Sequence, residues 1–280
     1  MKGCDPEFFV FEGDKPIPST KYFEHECDFN EIHHDGFQAE LKVKPSKSTE
    51  KLLKHIKETL EAGYKVVSQK VVNPENITFR AISTIKSDRK TLDSGGDAVL
   101  EFGCAPHFSV YNEKAKYPDG RTHLYRYSGG HIHLECNDKD RIPLIIKLDL
   151  FLTTALNSLD MESYKRRLKY YGRAGIYRFT DYGIEYRTPS SFWLKSPKLT
   201  RFAFKLADYI RNMDNNIIYS FNIDEVRKMI NSDNKEAMYK FWLENIGDKN
   251  LIEEYKDLMN MEFNDDLLVE WGVRNENHSL

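Results

Sequence analysis

The stretch Gly129–Glu135, Gly-Gly-His-Ile-His-Leu-Glu, constrains the fold of this chain most, because after two glycines it alternates strictly between polar and apolar residues. Alternation with period two predicts an extended strand that places His131, His133 and Glu135 on one face and the apolar side chains on the other. Like-facing Cβ atoms lie roughly 7 Å apart, so these polar side chains can reach one metal ion or ligand. The paired glycines allow a ligand or a second strand to approach closely. The segment is either such a site or a half-exposed strand that carries two histidines by coincidence.

Composition excludes several classes of protein. The chain has 280 residues, of which 40% are hydrophobic and 30% charged, as expected of an ordinary soluble globular protein. With a formal net charge of −3, we expect no nucleic-acid partner and no attraction to an anionic membrane. The four cysteines form no C-x-x-C pair, and no signal peptide is evident, which together indicate a reducing cytoplasm. The apolar run 142–159 contains Lys147 and Asp149 and therefore predicts a buried core helix and no membrane span.

An acidic strand opens the chain. In residues 3–11, Asp5 and Glu7 point the same way, and the aromatic and aliphatic run after them predicts burial on both faces. Two neighbouring carboxylates repel each other unless a cation lies between them. The alternative is a turn-initiating Asp-Pro followed by an incidental glutamate. After an Asp-Gly turn, residues 37–43 predict a second strand, whose polar face carries Glu40.

The remaining pattern predicts an α+β protein. An amphipathic helix begins after a Ser48 or Thr49 cap and ends at Gly63. Strand-like segments follow at 65–72 and 98–111, separated by an irregular connection over 73–97, and a further strand at 182–191 carries Glu185 and Arg187 on one face. From Pro197 onward the spacing is helical. We therefore expect a catalytic domain over residues 1–195 and a helical C-terminal appendage over 196–280.

The polar strand faces suit phosphoryl transfer if the strands are neighbours in one antiparallel sheet. Carboxylates with few imidazoles favour Mg²⁺ or Mn²⁺, and no thiolate is positioned to select a softer metal. Arginines in the 173–187 stretch offer bidentate forks for phosphate or carboxylate groups. The chain has no G-x-x-x-x-G-K-[ST] or G-x-G-x-x-G loop, so a nucleotide would bind on a sheet. It also has no G-x-S-x-G motif to support an acyl-enzyme mechanism.

Three motifs, in this order, resemble the glutamine synthetase superfamily: Gly-Cys-Asp-Pro-Glu-Phe-Phe-Val-Phe (3–11), Gly-Gly-His-Ile-His (129–133) and Glu-Tyr-Arg (185–187). Asp5 stands where that family's acidic strand has a glutamate. The stretch from Tyr171 to Ser191 resembles more specifically the phage-type carboxylate–amine ligases of the superfamily, and the similarity spans about residues 3–195. The resemblance implies a curved, mostly antiparallel sheet with helices on its outer face. It also implies an ATP-dependent ligase that forms an amide through an acyl phosphate.

The resemblance further implies ATP and Mg²⁺ (or Mn²⁺) as cofactors, and it assigns roles to individual side chains. The ligands of a cation near the acceptor would be Glu7, Glu40 and Glu101. The ligands of a cation bridging the ATP phosphates would be Asp5, His131 and Glu185. The side chains contacting ATP would be Arg126, Arg178 and Arg187. The catalytic side chains at the transferred phosphate or substrate carboxylate would be Arg173, Arg178, Arg187 and His133.

Substrates and alternatives stay open at this point. We expect small-molecule or peptide carboxylate and amine substrates, a monomer or small homo-oligomer, and the cytoplasm of the host if the chain is phage-encoded. Because the acidic strand starts at residue 5, we expect the synthetase's N-terminal domain to be missing, and we expect neither its ring-shaped oligomer nor free ammonia as the nucleophile. One alternative is a zinc hydrolase with His131, His133 and Glu135 as ligands. The other is a non-catalytic, nucleotide-binding phage protein that keeps the scaffold.

Overall fold

Strand β1, Lys2–Glu12, lies at the centre of the protein. The computed structural model describes residues 1–102, 108–113, 118–161 and 165–275, without the side chains of 165–167. The side chains of Phe8, Phe9 and Val10 are fully buried, in agreement with the predicted burial on both faces. Phe8 and Val10 join the main core, whereas Phe9 packs with Phe37 in a smaller one.

The other strands and the helices follow in chain order. The strands are β2 Lys15–Ile17, β3 Glu31–Asp35, β4 Gln38–Lys42, β5 Ile77–Arg80, β6 Thr84–Lys86, β7 Phe108–Ser109, β8 Tyr125–Tyr127, β9 Gly130–Glu135, β10 Ile176–Thr180 and β11 Gly183–Tyr186. The helices are α1 Thr49–Ser68, α2 Arg89–Ser94, α3 Asp97–Leu100, α4 Arg141–Lys147, α5 Thr154–Leu159, α6 Lys165–Tyr170, α7 Pro197–Asn212, α8 Ile223–Asn231, α9 Lys235–Asn245, α10 Lys249–Met259 and α11 Leu267–Glu270.

Every strand pairing among the described residues is antiparallel. The main sheet has the order β3-β4-β1-β9-β11-β10-β7, and β2 and β5 pair with β1 beyond this path. Strands β6 and β8 form a separate two-stranded sheet. The prediction of an α+β protein with a mostly antiparallel sheet is confirmed, and the more specific glutamine-synthetase-like arrangement stays a prediction.

The two faces of the sheet differ in chemistry. Ile132 and Leu134 of β9 and Ile184 and Tyr186 of β11 are fully buried in the main core. Helices α1 and α4 pack on strands of the sheet, and α7 packs on both of these helices. By strand alternation, the polar residues between them project from the opposite face. The hydrophobic effect of burying one face therefore fixes which side chains the other face presents.

The apolar segment Asp138–Leu159 forms the buried core helix that its composition predicts. Its 22 residues are long and apolar enough to cross a membrane, but 83% of its most apolar window is buried inside the protein. The helix widens to a π-helical turn over Leu148–Thr153, between α4 and α5. Asp149 in this turn accepts hydrogen bonds from the hydroxyls of Tyr111 (2.8 Å) and Tyr186, which explains how a carboxyl group is accommodated in the core.

Three local predictions were wrong. The expected strand at 65–72 is instead the end of α1, which continues past Gly63 to Ser68. A Cβ atom at Gly63 would lie 2.1 Å from Cδ1 of Ile32, so this glycine permits close helix–sheet packing and does not end the helix. The expected strand at 98–111 is replaced by α3 and the two-residue strand β7, with residues 103–107 outside the described part. The segment 73–97, predicted to be irregular, instead contains β5, β6 and α2. Strand β5 pairs with β1, a contact that the local sequence does not reveal.

The C-terminal part is helical, as predicted. Leu199, Phe202 and Leu206 of α7 and Trp242 of α9 belong to the same apolar core as the sheet. The side chain of Ser196 caps α7 by accepting a hydrogen bond from the Leu199 amide, and Pro197 occupies its first turn. A domain boundary between residues 195 and 196 stays a prediction.

Candidate active site

Antiparallel register places the polar side chains of six neighbouring strands in one row. A polar residue of each strand lies opposite a polar residue of the next, so that the row crosses the sheet without interruption. The cross-strand pairs are His33–Glu40, Glu40–Glu7, Asp5–His131, His133–Glu185 and Glu185–Arg178. Residues that lie 180 positions apart in sequence therefore meet on one face.

Asp5, His133 and Glu185 form the first potential metal-binding group, with one ligand atom of each within 4.8 Å of the others. Nε2 of His133 lies 2.9 Å from Oδ1 of Asp5. Nδ1 of His131 lies 3.5 Å from the same Asp5 oxygen and 3.6 Å from Oε1 of Glu185. Although burial alone would raise it, the neighbouring imidazoles of His133 and His131 hold the pKa of Asp5 well below its usual range. Asp5 is therefore ionised and available to a cation.

Glu7, Asp35 and Glu40 form the second group, again within 4.8 Å of one another. Oε2 of Glu7 accepts a hydrogen bond of 2.6 Å from the Gly129 amide. Its other oxygen, Oε1, is buried and has no hydrogen-bond partner in the part of the chain that the structure describes. Burial raises the pKa of Glu7 well above its usual range, and repulsion from Asp35 and Glu40 adds to this. A bound divalent cation would relieve both costs, so the group fits Mg²⁺ or Mn²⁺.

Arg187 and Arg178 both contact Glu185 but differ in their exposure to solvent. Arg187 is buried and donates a hydrogen bond to Oε1 of Glu185, which holds that carboxylate in place. Arg178 is 54% exposed, and its Nη1 lies 3.4 Å from Oε2 of Glu185. The guanidinium of Arg178 therefore lies at the edge of the first group, where a ligand can reach it.

Three predicted site residues are not brought into the row. Arg173 pairs with Glu113 at 2.8 Å instead. Glu101 has a side chain that is 71% exposed and pairs with Arg121 at 3.4 Å. Arg126 is buried, and its guanidinium donates hydrogen bonds to backbone carbonyls, which satisfies its charge within the fold. Those carbonyls belong to Val99, Gly120, His123 and Tyr125. We therefore leave Arg173, Glu101 and Arg126 out of the proposed site.

Sequence reasoning missed Asp35 and two tyrosines. Asp35 ends β3 in the hairpin with β4, and its Asp-Gly turn marked the hairpin without suggesting a role for the carboxylate. The hydroxyl of Tyr171 hydrogen-bonds to Nε2 of His131, and that of Tyr182 hydrogen-bonds to Nδ1 of His133. Tyr171 directly follows α6, and Tyr182 lies in the turn between β10 and β11. Both fall in stretches that the sequence analysis singled out, but strand alternation gave no reason to assign a role to either hydroxyl.

The paired glycines have the close approach that the sequence predicts. A Cβ atom at Gly129 would lie 2.4 Å from Nε2 of His131 and 2.8 Å from the hydroxyl oxygen of Tyr171. A Cβ atom at Gly130 would lie 2.1 Å from the carbonyl oxygen of Ser190, on a neighbouring backbone. Only glycine leaves room at these two positions. The side chains of His131 and Tyr171 require glycine at 129, and the backbone at Ser190 requires it at 130.

A cavity of about 630 Å³ adjoins the first group. Asp5 and His133 line one part of it, and Val43, Pro45 and the exposed ring of Phe29 line another. This volume is within the range of small-molecule sites, and the mixture of apolar walls with a few polar groups is typical of them.

The structure does not bring the third ligand of the zinc-hydrolase alternative, Glu135, to the two histidines. Glu135 is 56% exposed and forms an ion pair with the N-terminal ammonium group. Of the three side chains that the alternative requires, only the two histidines lie at the row of site residues.

Comparison with known proteins gives one family. The model of the family described as "Phage phiEco32-like COOH.NH2 ligase-type 2" matches residues 106–270, more than half of the chain. This match begins before β8 and continues through the C-terminal helices, so it includes β9 and β11 but not β1 or β4. No curated protein and no solved structure gives a significant match.

Proposed function

Since the chain belongs to the phage phiEco32-like COOH.NH2 ligase type 2 family, we propose that it uses ATP to join a carboxylate to an amine through an acyl phosphate. The family description supports a ligase, and the residues of the row support the ATP-dependent chemistry. We propose small-molecule or peptide substrates, and Mg²⁺ or Mn²⁺ as the metal.

The observation that carries this proposal is the pair of acidic groups along one sheet face. Three carboxylates converge in the second group, and one buried oxygen of Glu7 has no hydrogen-bond partner among the described residues. Such an arrangement is costly without a cation. Asp5, His133, Glu185 and the nearby His131 would hold one divalent ion, and Glu7, Asp35 and Glu40 a second. When bound, these ions would neutralise negative charge on the phosphates and on the substrate carboxylate.

The cavity beside Asp5 suits the nucleoside of ATP. Its volume of about 630 Å³ and its apolar walls fit a base and ribose, and it opens directly onto the first group. A nucleotide in this orientation would direct its phosphates toward Glu185 and Arg178. The exposed guanidinium of Arg178 can donate hydrogen bonds to the transferred phosphoryl group, where charge develops.

The reaction then proceeds in two steps. A carboxylate oxygen of the substrate attacks the γ-phosphorus of ATP, and the bond to the bridging oxygen of ADP breaks. The amine then attacks the acyl carbon, phosphate leaves, and the amine nitrogen loses a proton. Arg187 holds Glu185 in position through both steps, and Arg178 neutralises charge on the phosphoryl group.

A screen for ADP release over pairs of carboxylates and amines, with products identified by mass, tests the proposal. We expect one pair to give ADP, phosphate and an amide in equal amounts, and Arg178→Ala to lower kcat by about 10²-fold or more. The exposed Arg89→Ala, whose guanidinium pairs with Asp93 on α2, is the control and should keep the wild-type rate. Nucleotide binding without turnover for any pair would instead favour the non-catalytic alternative. Absence of both binding and turnover would overturn the proposal.

A further inference from the structure

A tyrosine hydroxyl contacts one ring nitrogen of each site histidine. The hydroxyl of Tyr171 hydrogen-bonds to Nε2 of His131, and that of Tyr182 hydrogen-bonds to Nδ1 of His133. In both cases the other ring nitrogen is directed at Asp5, at 3.5 Å from His131 and 2.9 Å from His133. Two tyrosines from separate segments, one directly after α6 and one in the β10–β11 turn, therefore contact the two imidazoles in the same way.

The chemistry of imidazole explains why a hydroxyl is suitable there. A neutral imidazole carries one N–H group and one lone pair. The nitrogen directed at a bare carboxylate must carry the proton, whereas a nitrogen directed at a cation must present its lone pair. The proton therefore has to change nitrogens when a cation binds. A carboxylate partner could only accept a hydrogen bond, but a hydroxyl can donate to one tautomer and accept from the other.

Tyr171 is held more firmly than Tyr182. Its side chain is only 5% exposed, and its hydroxyl also lies 3.4 Å from Nη2 of Arg187. The missing Cβ atom of Gly129 leaves the space that the hydroxyl occupies. Tyr182 is 48% exposed, so water can replace its hydroxyl.

We propose that Tyr171 is a positioning residue that lets His131 exchange its Nδ1–H tautomer for the Nε2–H tautomer when a divalent cation binds beside Asp5 and Glu185. Nδ1 gives its proton to solvent and Nε2 takes one up, so the charge of the imidazole does not change. The hydroxyl of Tyr171 rotates from donating to accepting. Tyr182 serves His133 in the same way with a smaller effect. This inference rests on the cation site of the proposed function.

Histidine ¹⁵N NMR tests the inference without any substrate. The nine histidines are labelled, and the signals of His131 are assigned by their loss in His131→Gln. In the metal-free protein we expect the Nδ1–H tautomer of His131, and titration with Mg²⁺ should convert it to the Nε2–H tautomer. Calorimetry should show that Tyr171→Phe weakens Mg²⁺ binding by about 10–100-fold. Tyr182→Phe should weaken it less, and Tyr219→Phe, at an 83% exposed position, should leave it unchanged.

The outcomes separate the inference from the function on which it rests. If wild-type protein binds no Mg²⁺ by calorimetry, the cation site and this inference are both wrong. If Mg²⁺ binds but the tautomer of His131 stays the same, or Tyr171→Phe binds with wild-type affinity, only the inference is overturned. The tautomer change is observed in the wild-type protein, so this part of the test holds even if Tyr171→Phe fails to fold.

Discussion

The buried carboxyl group of Glu7 is the main reason why we propose a cation at this site. Its carboxyl group is buried between β4 and β9, faces two other carboxylates, and has one oxygen without a hydrogen-bond partner in the described chain. Folding the protein with this group in place costs free energy unless the group is protonated or bound to a cation. The raised pKa of Glu7 reflects this cost, with burial as its main cause.

Replacing Glu7 with glutamine should separate stability from binding. Glutamine has nearly the same shape without the charge, so Glu7→Gln should unfold at the same temperature as the wild type, or higher, in the absence of metal. Its Mn²⁺ affinity should fall at least about tenfold, because an anionic ligand is lost. Calorimetry and thermal unfolding measure the two effects, with Glu101→Gln as the exposed control that keeps wild-type affinity. Equal Mn²⁺ affinity in Glu7→Gln and the wild type would contradict the cation site.

Gly129 should tolerate no side chain. The Cβ atom of Gly129→Ala would collide with Nε2 of His131 and with the Tyr171 hydroxyl, and displacing them should lower the free energy of unfolding by about 1–3 kcal/mol. Gly3→Ala is the control, since its Cβ atom would make ordinary contacts of 3.5 Å with Pro45 and 3.7 Å with Cβ of His133. Urea unfolding of the two variants measures the difference. If both variants were equally stable, the close approach at Gly129 would not be real.

At the scale of elements, the sheet is anchored from behind by the helix that contains the π-helical turn. Asp149 in that turn accepts a hydrogen bond from the hydroxyl of Tyr186, the residue that follows Glu185 on β11. Because side chains alternate along a strand, fixing Tyr186 on the core side fixes Glu185 toward the site. Burial raises the pKa of Asp149 to about 6, although hydrogen bonds from the two tyrosines oppose the shift.

This raised pKa predicts a pH-dependent stability. The unfolded chain releases the Asp149 proton near pH 4, whereas the native protein holds it to about pH 6. The stabilising contribution of the protonated group is complete below pH 4 and is lost as the pH rises through about 6. At most about 3 kcal/mol is involved, from the shift between the two pKa values. Relative to Asp149→Asn, the wild type should therefore lose unfolding free energy between pH 4 and pH 7, as urea titrations can show. Parallel pH curves would contradict the assignment.

Sequence patterns predicted which side chains share one face of a strand better than they predicted which strands are neighbours in the sheet. Alternation within single strands correctly grouped His131 with His133 and Glu185 with Arg187, since the period of a strand is a local property. Which strand pairs with which depends on contacts between distant residues, and here the resemblance to a known family supplied the expectation that composition could not. Asp35 was missed for the same reason, because only pairing of β4 with β1 brings it to Glu7.

Sequence position did not distinguish the charged residues that lie in the row from those that pair elsewhere in the fold. Arg126 lies on β8, and its partners include backbone carbonyls of α3 and of the connection that precedes β8. No sequence pattern distinguishes an arginine that satisfies carbonyls from one that contacts a carboxylate. Glu101 likewise precedes a segment outside the described residues and pairs at the surface. Tertiary contacts decided both cases.

In the protein as a whole, the proposed nucleotide cavity adjoins the first group, and the second group lies farther along the row, toward β3. β1 links them, because Asp5 belongs to the first group and Glu7 to the second. One strand therefore holds ligand atoms of both groups, and most of its side chains are buried on both faces of the sheet. A rigid spacing of this kind suits a reaction that transfers a group between two bound substrates.

X-ray diffraction from crystals grown with Mn²⁺ and a non-hydrolysable ATP analogue tests whether the two acidic groups bind cations, because anomalous scattering identifies the positions of manganese ions. We expect one manganese peak contacted by Asp5 and Glu185, a second contacted by Glu7, Asp35 and Glu40, and the base of the nucleotide in the cavity beside Phe29. Manganese bound elsewhere, or a fully occupied nucleotide with no metal at either group, would contradict this expectation.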